Sequence, residues 1–409
     1  MAEQGLDALL LTQPESITYA AGAFSGVATF WRRAGAAALL VPADPGAPLA
    51  AVVGDLQAAA FKSQSGIADV RAHSVWVETG SWEPTAIADA PDGDVASTLV
   101  TADRAAGRRE RSPRPAQYDT AAALALVRDQ VTERGLSRAR IGLELGFVPA
   151  ADLPLIQAAL PHVSFHDGTR LVERLRAIKR PAEIERLRQA AQLASAGIAA
   201  LTAAIEPGMD ATRMTALWRE GALKEARRLG IAAPGSTWAY IAVGGDGFAP
   251  GGPARSGDLI KIDVGCVIGG YSSDGGRTAV VGRASATQRA VYDALHRAFD
   301  AGLDVLRQGA PLAEVYRATA GAMWDAGFTT YNRGHFGHGV GASIWSEEWP
   351  FISADATAVA EPGMVLAFET PYYIAGLGGF IIEDQLLVTE ASVEVMAPLP
   401  RRLIETAGG

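Results

Sequence analysis

Short apolar runs recur near the start of the chain: ALLL at 8–11, GAAALLVP at 35–42, PLAAVVGD at 48–55 and ARIGLEL at 139–145. Each reads as a buried strand. YDTAAALALVRDQVTERG (118–135) and LPLIQAALP (153–161) read as helices. Strands alternating with helices indicate an α/β layer domain. Residues 103–116, DRAAGRRERSPRPA, are polar, basic and proline-bearing, and read as a solvated loop. The clearest helix begins at Pro181. Ile184, Leu187, Ala191, Ala194, Ile198, Leu201 and Ile205 follow steps of three and four, which puts them on one helical stripe. Pro181 suits the first turn, and Pro207-Gly208 ends the helix. A boundary just before this helix divides the chain into domains at 1–174 and 175–409.

Beyond the helix, the pattern changes to long β-rich stretches. DLIKIDVGCVIGGYSSDGGRTAVVG (258–282) and MVLAFETPYYIAGLGGFIIEDQLLVT (364–389) each carry β-rich arms around a glycine-containing turn, so each reads as a hairpin. Helical patterns at 286–306 and 311–327 lie between them. The order helix, hairpin, helices, hairpin hints at a duplicated half-domain.

Acidic residues inside these apolar arms carry the chemistry. The midpoint of Asp263 and Asp274 falls between Ile268 and Gly269, at the expected turn, so the two carboxylates should stand nearly opposite each other. Glu369 and Glu383 have their midpoint at Gly376 and should face each other too. Directly opposed residues have Cβ atoms about 4.5–5.5 Å apart. Buried like charges that close need a cation. His338, in a glycine-rich loop between the hairpins, supplies a neutral nitrogen. Four carboxylates and one imidazole suit two divalent ions, with Mn²⁺, Fe²⁺ or Co²⁺ favoured over Zn²⁺. Two such ions can share a water and lower its pKa.

Composition narrows the function classes. A net charge of −9 argues against a general nucleic-acid binder. One cysteine, Cys266, allows no disulfide within the chain and fits a reducing cytoplasm. The opening MAEQGLDALLL has no positive region before its apolar run, so it does not read as a signal peptide. No stretch approaches the roughly 18–20 apolar residues of a membrane helix. The expected partner is a small-molecule or short-peptide substrate, without nucleic acid or membrane.

These residues resemble a known family, the pita-bread metallohydrolases, which include prolidase, aminopeptidase P, methionine aminopeptidase and creatinase. GDLIKIDVG, GYSSDGGRT, GHGVG, PGMVLAFE and IIEDQLLVT are similar to the family's metal-site motifs. RLRAIKRPAEIERLRQAA resembles the helix that opens the catalytic domain, and GLDALLLTQPESITYAAG the start of the N-terminal domain. The resemblance implies an α/β creatinase/prolidase-like N-terminal domain followed by an α+β pita-bread catalytic domain. It implies that Asp263 chelates one metal, His338 and Glu369 the other, and that Asp274 and Glu383 bridge the two. It also implies a metal-bridging hydroxide that attacks a carbonyl, with Glu369 handling the proton and His338 at the catalytic centre. The expected activity is that of an Xaa-Pro dipeptidase or aminopeptidase P.

The sequence departs from the family in two places. Prolidase-like members carry a histidine before the first aspartate strand, where this chain has Gly251 after Pro250. They carry another seven residues beyond the metal histidine, followed by Glu, where this chain has Trp345 and Ser346. The nearest acids beyond Trp345 are Glu347 and Glu348. The departures open a second expectation, a specialised non-peptidase such as a creatinase-like or ectoine-hydrolase-like amidinohydrolase, or a metal-dependent lyase acting on a small zwitterion. A third is a catalytically silent binding module.

Trp345, His335 and Tyr240 are candidate substrate-binding residues, with Trp238, Trp349 and Phe351 as further pocket candidates or core. Lys261 shares a strand face with Asp263 and could neutralise the site. Arg277 could pair with a metal carboxylate or cap the turn. Cys266 reads as a small buried residue. The family commonly forms homodimers, which implies that FSGVATFWRRAG (24–35) reaches a partner's site or is an ordinary surface loop.

Overall fold

The computed structural model describes residues 1–78, 96–97, 113–343 and 347–406. Most of the basic loop at 103–116, together with Trp345 and Ser346, lies outside the described residues. The chain divides into two compact units, Met1–Val172 and Glu173–Gly409. Among the described residues no helix is long and apolar enough to cross a membrane.

The first unit is a sheet with helices. Its strands are β1 (Ala8–Leu11), β2 (Ala38–Pro42), β3 (Ala50–Gly54), β4 (Asp69–His73), β5 (Arg140–Leu143) and β6 (Ser164–Asp167), in the order β4-β3-β2-β1-β5-β6. Helices α1 (Pro14–Ala21), α2 (Asp55–Ser65), α3 (Thr120–Glu133) and α4 (Leu153–Ala159) alternate with them. Leu9, Leu11, Val53 and Phe61 form one core, and Leu10, Leu40, Val127 and Ile141 another. Adjacent residues of one strand thus bury in different cores. That is why these strands read as unbroken apolar runs rather than alternating ones. The side chain of Asp119 accepts from the backbone of Ala121 and Ala122 and caps α3.

The second unit holds α5 (Pro181–Ala204), α6 (Ala211–Leu229), β7 (Ser236–Ala239), β8 (Ala242–Val243), β9 (Leu259–Ile268), β10 (Tyr271–Ser272) and β11 (Gly275–Val280). Then come α7 (Ala286–Val305), α8 (Leu312–Asp325), β12 (His335–Gly339), β13 (Glu348–Ser353), β14 (Val365–Glu369), β15 (Tyr372–Ile374), β16 (Gly378–Phe380) and β17 (Glu383–Val388). The main path across the sheet is β10-β9-β11-β17-β14-β12-β13.

Each helix pair covers one hairpin. Leu193, Ala194, Ile198 and Leu201 of α5, with Trp218 of α6, pack on Ile260, Ile262 and Val264 of β9. Leu295 and Phe299 of α7, with Val315 and Met323 of α8, pack on Leu366, Phe368, Ile382 and Leu386. Fully burying one such side chain contributes roughly 1.5–3 kcal/mol. The duplicated half-domain hinted at by the sequence is therefore visible as two helix-on-hairpin halves.

The halves meet at β11 and β17, where the ladder holds one residue pairing, Gly276 with Glu383. Side chains complete that seam. The Thr278 hydroxyl donates to the Ile381 carbonyl (2.9 Å) and accepts from its N–H (2.7 Å). Arg277 donates to the Glu383 carbonyl (2.6 Å) and to Asp384 (2.6 Å).

The first hairpin differs from expectation by one residue at its turn. Gly269 and Gly270, with φ of 56° and 84°, form the two-residue loop between Ile268 and Tyr271. Two positive φ values in succession favour the type I′ geometry that only glycine-like residues adopt readily. The turn is therefore centred between the two glycines rather than between Ile268 and Gly269. In consequence Asp263 pairs with Gly276, not with Asp274. Asp274 lies just before β11, two residues from Gly276. The second hairpin has the expected register, with Glu369 opposite Glu383.

Candidate metal centre

Strand alternation separates core from chemistry. On β9, Ile260, Ile262 and Val264 enter the helical core, so Lys261 and Asp263 face the other side of the sheet. On β14, Leu366 and Phe368 enter the core, and Ala367 and Glu369 face away from it. The register then sets Asp263, Gly276, Glu383 and Glu369 in one row across β9, β11, β17 and β14. His338 pairs with Ala367, two positions from Glu369. Asp263, Asp274, His338, Glu369 and Glu383 all line one cleft of about 240 Å³. Gly337 makes the histidine's position possible. It has φ 150°, and a Cβ there would lie 2.1 Å from the Ala367 carbonyl oxygen, so only glycine lets β12 lie this close to β14.

Ligand atoms of Asp274, His338 and Glu383 lie within 4.8 Å of one another. The Nε2 of His338 is 3.6 Å from the Asp274 carboxylate. Its Nδ1 is 3.0 Å from the Gly339 carbonyl, which fixes the proton on Nδ1 and leaves Nε2 with a free lone pair. One oxygen of Asp274 and one of Glu383 are buried with no hydrogen-bond partner. Burial raises the pKa of both carboxyls well above the ordinary range, and the charges of Asp263 and Glu369 raise them further. Buried, unpartnered carboxylate oxygens facing an imidazole lone pair fit divalent cations, and an oxygen-rich set with one nitrogen suits hard to borderline ions. Two flanking cations complete the electrostatics. Lys261 Nζ is 2.8 Å from Asp263 and 3.3 Å from the Tyr373 hydroxyl. Arg333 donates to Glu369 at 2.7 Å.

The other residues singled out in the sequence divide clearly. His335 is in the cleft region, with Nε2 at 3.2 Å from Glu347 and Nδ1 at 4.0 Å from Glu369. Tyr240 lines the cleft beside Trp238, their rings 5.6 Å apart, and Tyr240 is 64% exposed, which rules out a core role. Trp349 packs against the hydrophobic core. Phe351 packs against His335, the ring centroids 5.5 Å apart and the planes tilted by 60°. Arg277 does not pair with any of the five residues through their carboxylates. It binds Asp384 and holds the backbone carbonyl of Glu383. Cys266 is buried, and burial pushes its thiol up to about 12. Gly251 has φ 70°, and a Cβ there would lie 2.1 Å from the Val243 carbonyl oxygen, so this backbone admits no histidine at that position.

Two functional neighbours carried no assigned role in the sequence. Glu347 enters the cleft, with Oε1 3.9 Å from His338 Nε2. Its hydrogen bond with His335 holds its carboxyl below the ordinary range. The adjacent Glu348 points the opposite way, into a buried cluster with Arg176 (2.5 Å) and Lys179 (3.9 Å), and accepts from Ser343 N–H at 2.8 Å. The signal in the sequence was the acidic doublet itself: on an extended strand, neighbouring side chains point to opposite faces.

Comparison with known proteins identifies the family. The model of metallopeptidase family M24 matches residues 185–390, and that of the creatinase/prolidase N-terminal domain matches residues 1–178. The Xaa-Pro dipeptidase of Pyrococcus furiosus is 30% identical over 239 residues, covering 57% of this chain and 67% of that protein. Among solved structures, an Xaa-Pro dipeptidase from Bacillus anthracis has a TM-score of 0.74 at 24% identity, covering 98% of this chain and 96% of the other. A prolidase from Thermococcus sibiricus has a TM-score of 0.76 at 19% identity, covering 99% and 95%. The chain therefore belongs to metallopeptidase family M24, a family of metal-dependent hydrolases, and is built as an α/β creatinase/prolidase-type domain followed by an α+β pita-bread catalytic domain.

Proposed function

We propose that this protein is a dinuclear-metal hydrolase cleaving a peptide or peptide-like C–N bond in a short peptide or small substrate. Asp263, Asp274, His338, Glu369 and Glu383 are the residues that would hold the ions. The observation that carries the reading is the pair of buried, unpartnered carboxylate oxygens on Asp274 and Glu383, beside His338 Nε2. Mn²⁺ suits this oxygen-rich set best, with Fe²⁺, Co²⁺ or Zn²⁺ as alternatives. Two bound divalent ions would polarise the scissile carbonyl and activate a water.

The chain's own groups do the rest. The Nδ1 contact to Gly339 orients His338. Arg333 engages Oε1 of Glu369 and leaves its other oxygen to take up a proton. Lys261 donates to Asp263 and orients its carboxylate. The cleft, about 240 Å³, suits a ligand of dipeptide size rather than a long chain. The Xaa-Pro dipeptidase relative supports a dipeptide substrate. The lone buried cysteine suits a cytoplasmic site of action, and the family resemblance supports a homodimer.

A second reading, a specialised non-peptidase on the same metal centre, is favoured by Gly251, whose backbone leaves no room for the peptidases' auxiliary histidine. One experiment separates the two. Protein purified without chelator is analysed for metal, then assayed against Xaa-Pro dipeptides, cyclic amidines and small betaines. Close to two metal equivalents with Xaa-Pro cleavage supports the first reading. Activity without metal would sink both.

A further inference from the structure

We propose that Glu347, with the Trp238–Tyr240 wall, is a specificity-determining subsite that accepts a positively charged N–H donor of the substrate: an ammonium, amidinium or guanidinium. The proposal rests on the hydrolase reading above and names its substrate class.

Glu347 shares the cleft with the five proposed ligands and with both aromatic rings. Its neighbour fixes its direction. Glu348 is 7% exposed and bound to Arg176 and to the Ser343 N–H, whereas the Glu347 side chain keeps 47% of its surface. One acid is the anchor, and the other is presented to the cleft. Among the described residues, the hydrogen-bonding capacity of Glu347 is half used. His335 Nδ1 accepts from Gly337 N–H at 3.3 Å, so its Nε2 carries the hydrogen and donates to Oε2 at 3.2 Å. Oε1 lies 3.9 Å from His338 Nε2, beyond hydrogen-bond reach, and keeps its acceptor sites for a ligand. The nearby cations do not fill that role: Lys261 is bound to Asp263 and Arg333 to Glu369. Trp238 spends its N–H on Ser272 at 2.9 Å, and Tyr240 stands open, so both offer ring faces that attract a cation.

The chemistry of the group points the same way. An ionised carboxylate cannot donate and repels negative charge. It stabilises a cationic group instead.

The test measures binding as well as turnover. Butylguanidine and its neutral isostere butylurea are titrated calorimetrically into the Mn²⁺-loaded protein at pH 7, wild type and Glu347→Gln. We expect wild type to prefer butylguanidine by at least about tenfold, as for a charge-assisted hydrogen bond, and E347Q to lose that preference while retaining its metal content by elemental analysis. Equal affinities in wild type, a preference that survives in E347Q, or loss of metal in E347Q would each overturn the proposal. In parallel, Lys-Pro and norleucine-Pro are compared as substrates. If neither is cut, the peptidase reading fails, and the binding result still decides the role of Glu347.

Discussion

Replacing Glu383 by glutamine isolates the electrostatic cost of a centre without ions. Its ligand atom lies within 4.8 Å of those of Asp274 and His338. Two full negative charges at that separation repel by about 3.5 kcal/mol at an effective permittivity of about 20. The protein can avoid this by protonating Glu383. From an ordinary pKa of 4.5, holding a proton at pH 7 costs at most about 3.4 kcal/mol, at about 1.36 kcal/mol per unit. By either route the metal-free fold carries a penalty of about 3 kcal/mol that a neutral side chain avoids. The glutamine amide can also donate to Asp274. In chelator at pH 7, E383Q should therefore be more stable than wild type by about 1–3 kcal/mol, read as a higher urea midpoint at unchanged slope. With Mn²⁺ at a thousandfold excess over its dissociation constant the order should reverse. Wild type gains about 4.1 kcal/mol by linkage, and the variant gains little. A variant that is less stable than wild type in chelator, or that gains as much from Mn²⁺, would refute the reasoning.

Four further outcomes follow from the same structure. The raised carboxyl pKa values of Asp274 and Glu383 mean that the metal-free folded chain holds protons the unfolded chain has released, so its stability should fall as pH rises through that raised range. Adding Mn²⁺ at pH 7 should then expel protons, and titration heats should differ between two buffers of unlike ionisation enthalpy; identical heats contradict this. Glu348→Ala removes the carboxylate shared by buried Arg176 and Lys179 and should cost about 3–5 kcal/mol by urea unfolding, whereas a loss below about 1 kcal/mol would make the cluster unimportant. Gly251→His should lower stability by about 1–3 kcal/mol without raising Xaa-Pro cleavage, because the new Cβ would run into the Val243 carbonyl; a stable variant with faster cleavage would show that the loop adapts.

The elements that were legible were those whose burial leaves a pattern. The α5 stripe and the apolar runs of β1, β2, β3 and β5 could be read directly, because one face of α5 and both faces of those strands are covered. Strands β4 (DVRAH) and β6 (SFHD) are half-exposed and polar, and gave no such signal. The acids inside apolar strands stood out because a buried charge there demands a reason. Their mutual register did not, since a shift of one residue at the Gly269–Gly270 turn moves every pairing downstream. Glu347 was visible as a residue but not as part of the cleft. Its direction depends on Glu348 finding Arg176, which is 172 positions away in sequence.

The narrow seam between β11 and β17 would give the proposed ions a second job. With one ladder pairing there, the two halves of the sheet are joined mainly by Arg277, Thr278 and the groups they grip. The proposed ligands straddle that line: Asp263 and Asp274 come from one half, and His338, Glu369 and Glu383 from the other. A pair of cations held between them would act as a clasp as well as a reagent. Amide hydrogens along β11 and β17 should exchange fastest in chelator and slow most when Mn²⁺ is restored, so cofactor loss would register as a parting of the two halves before any general unfolding.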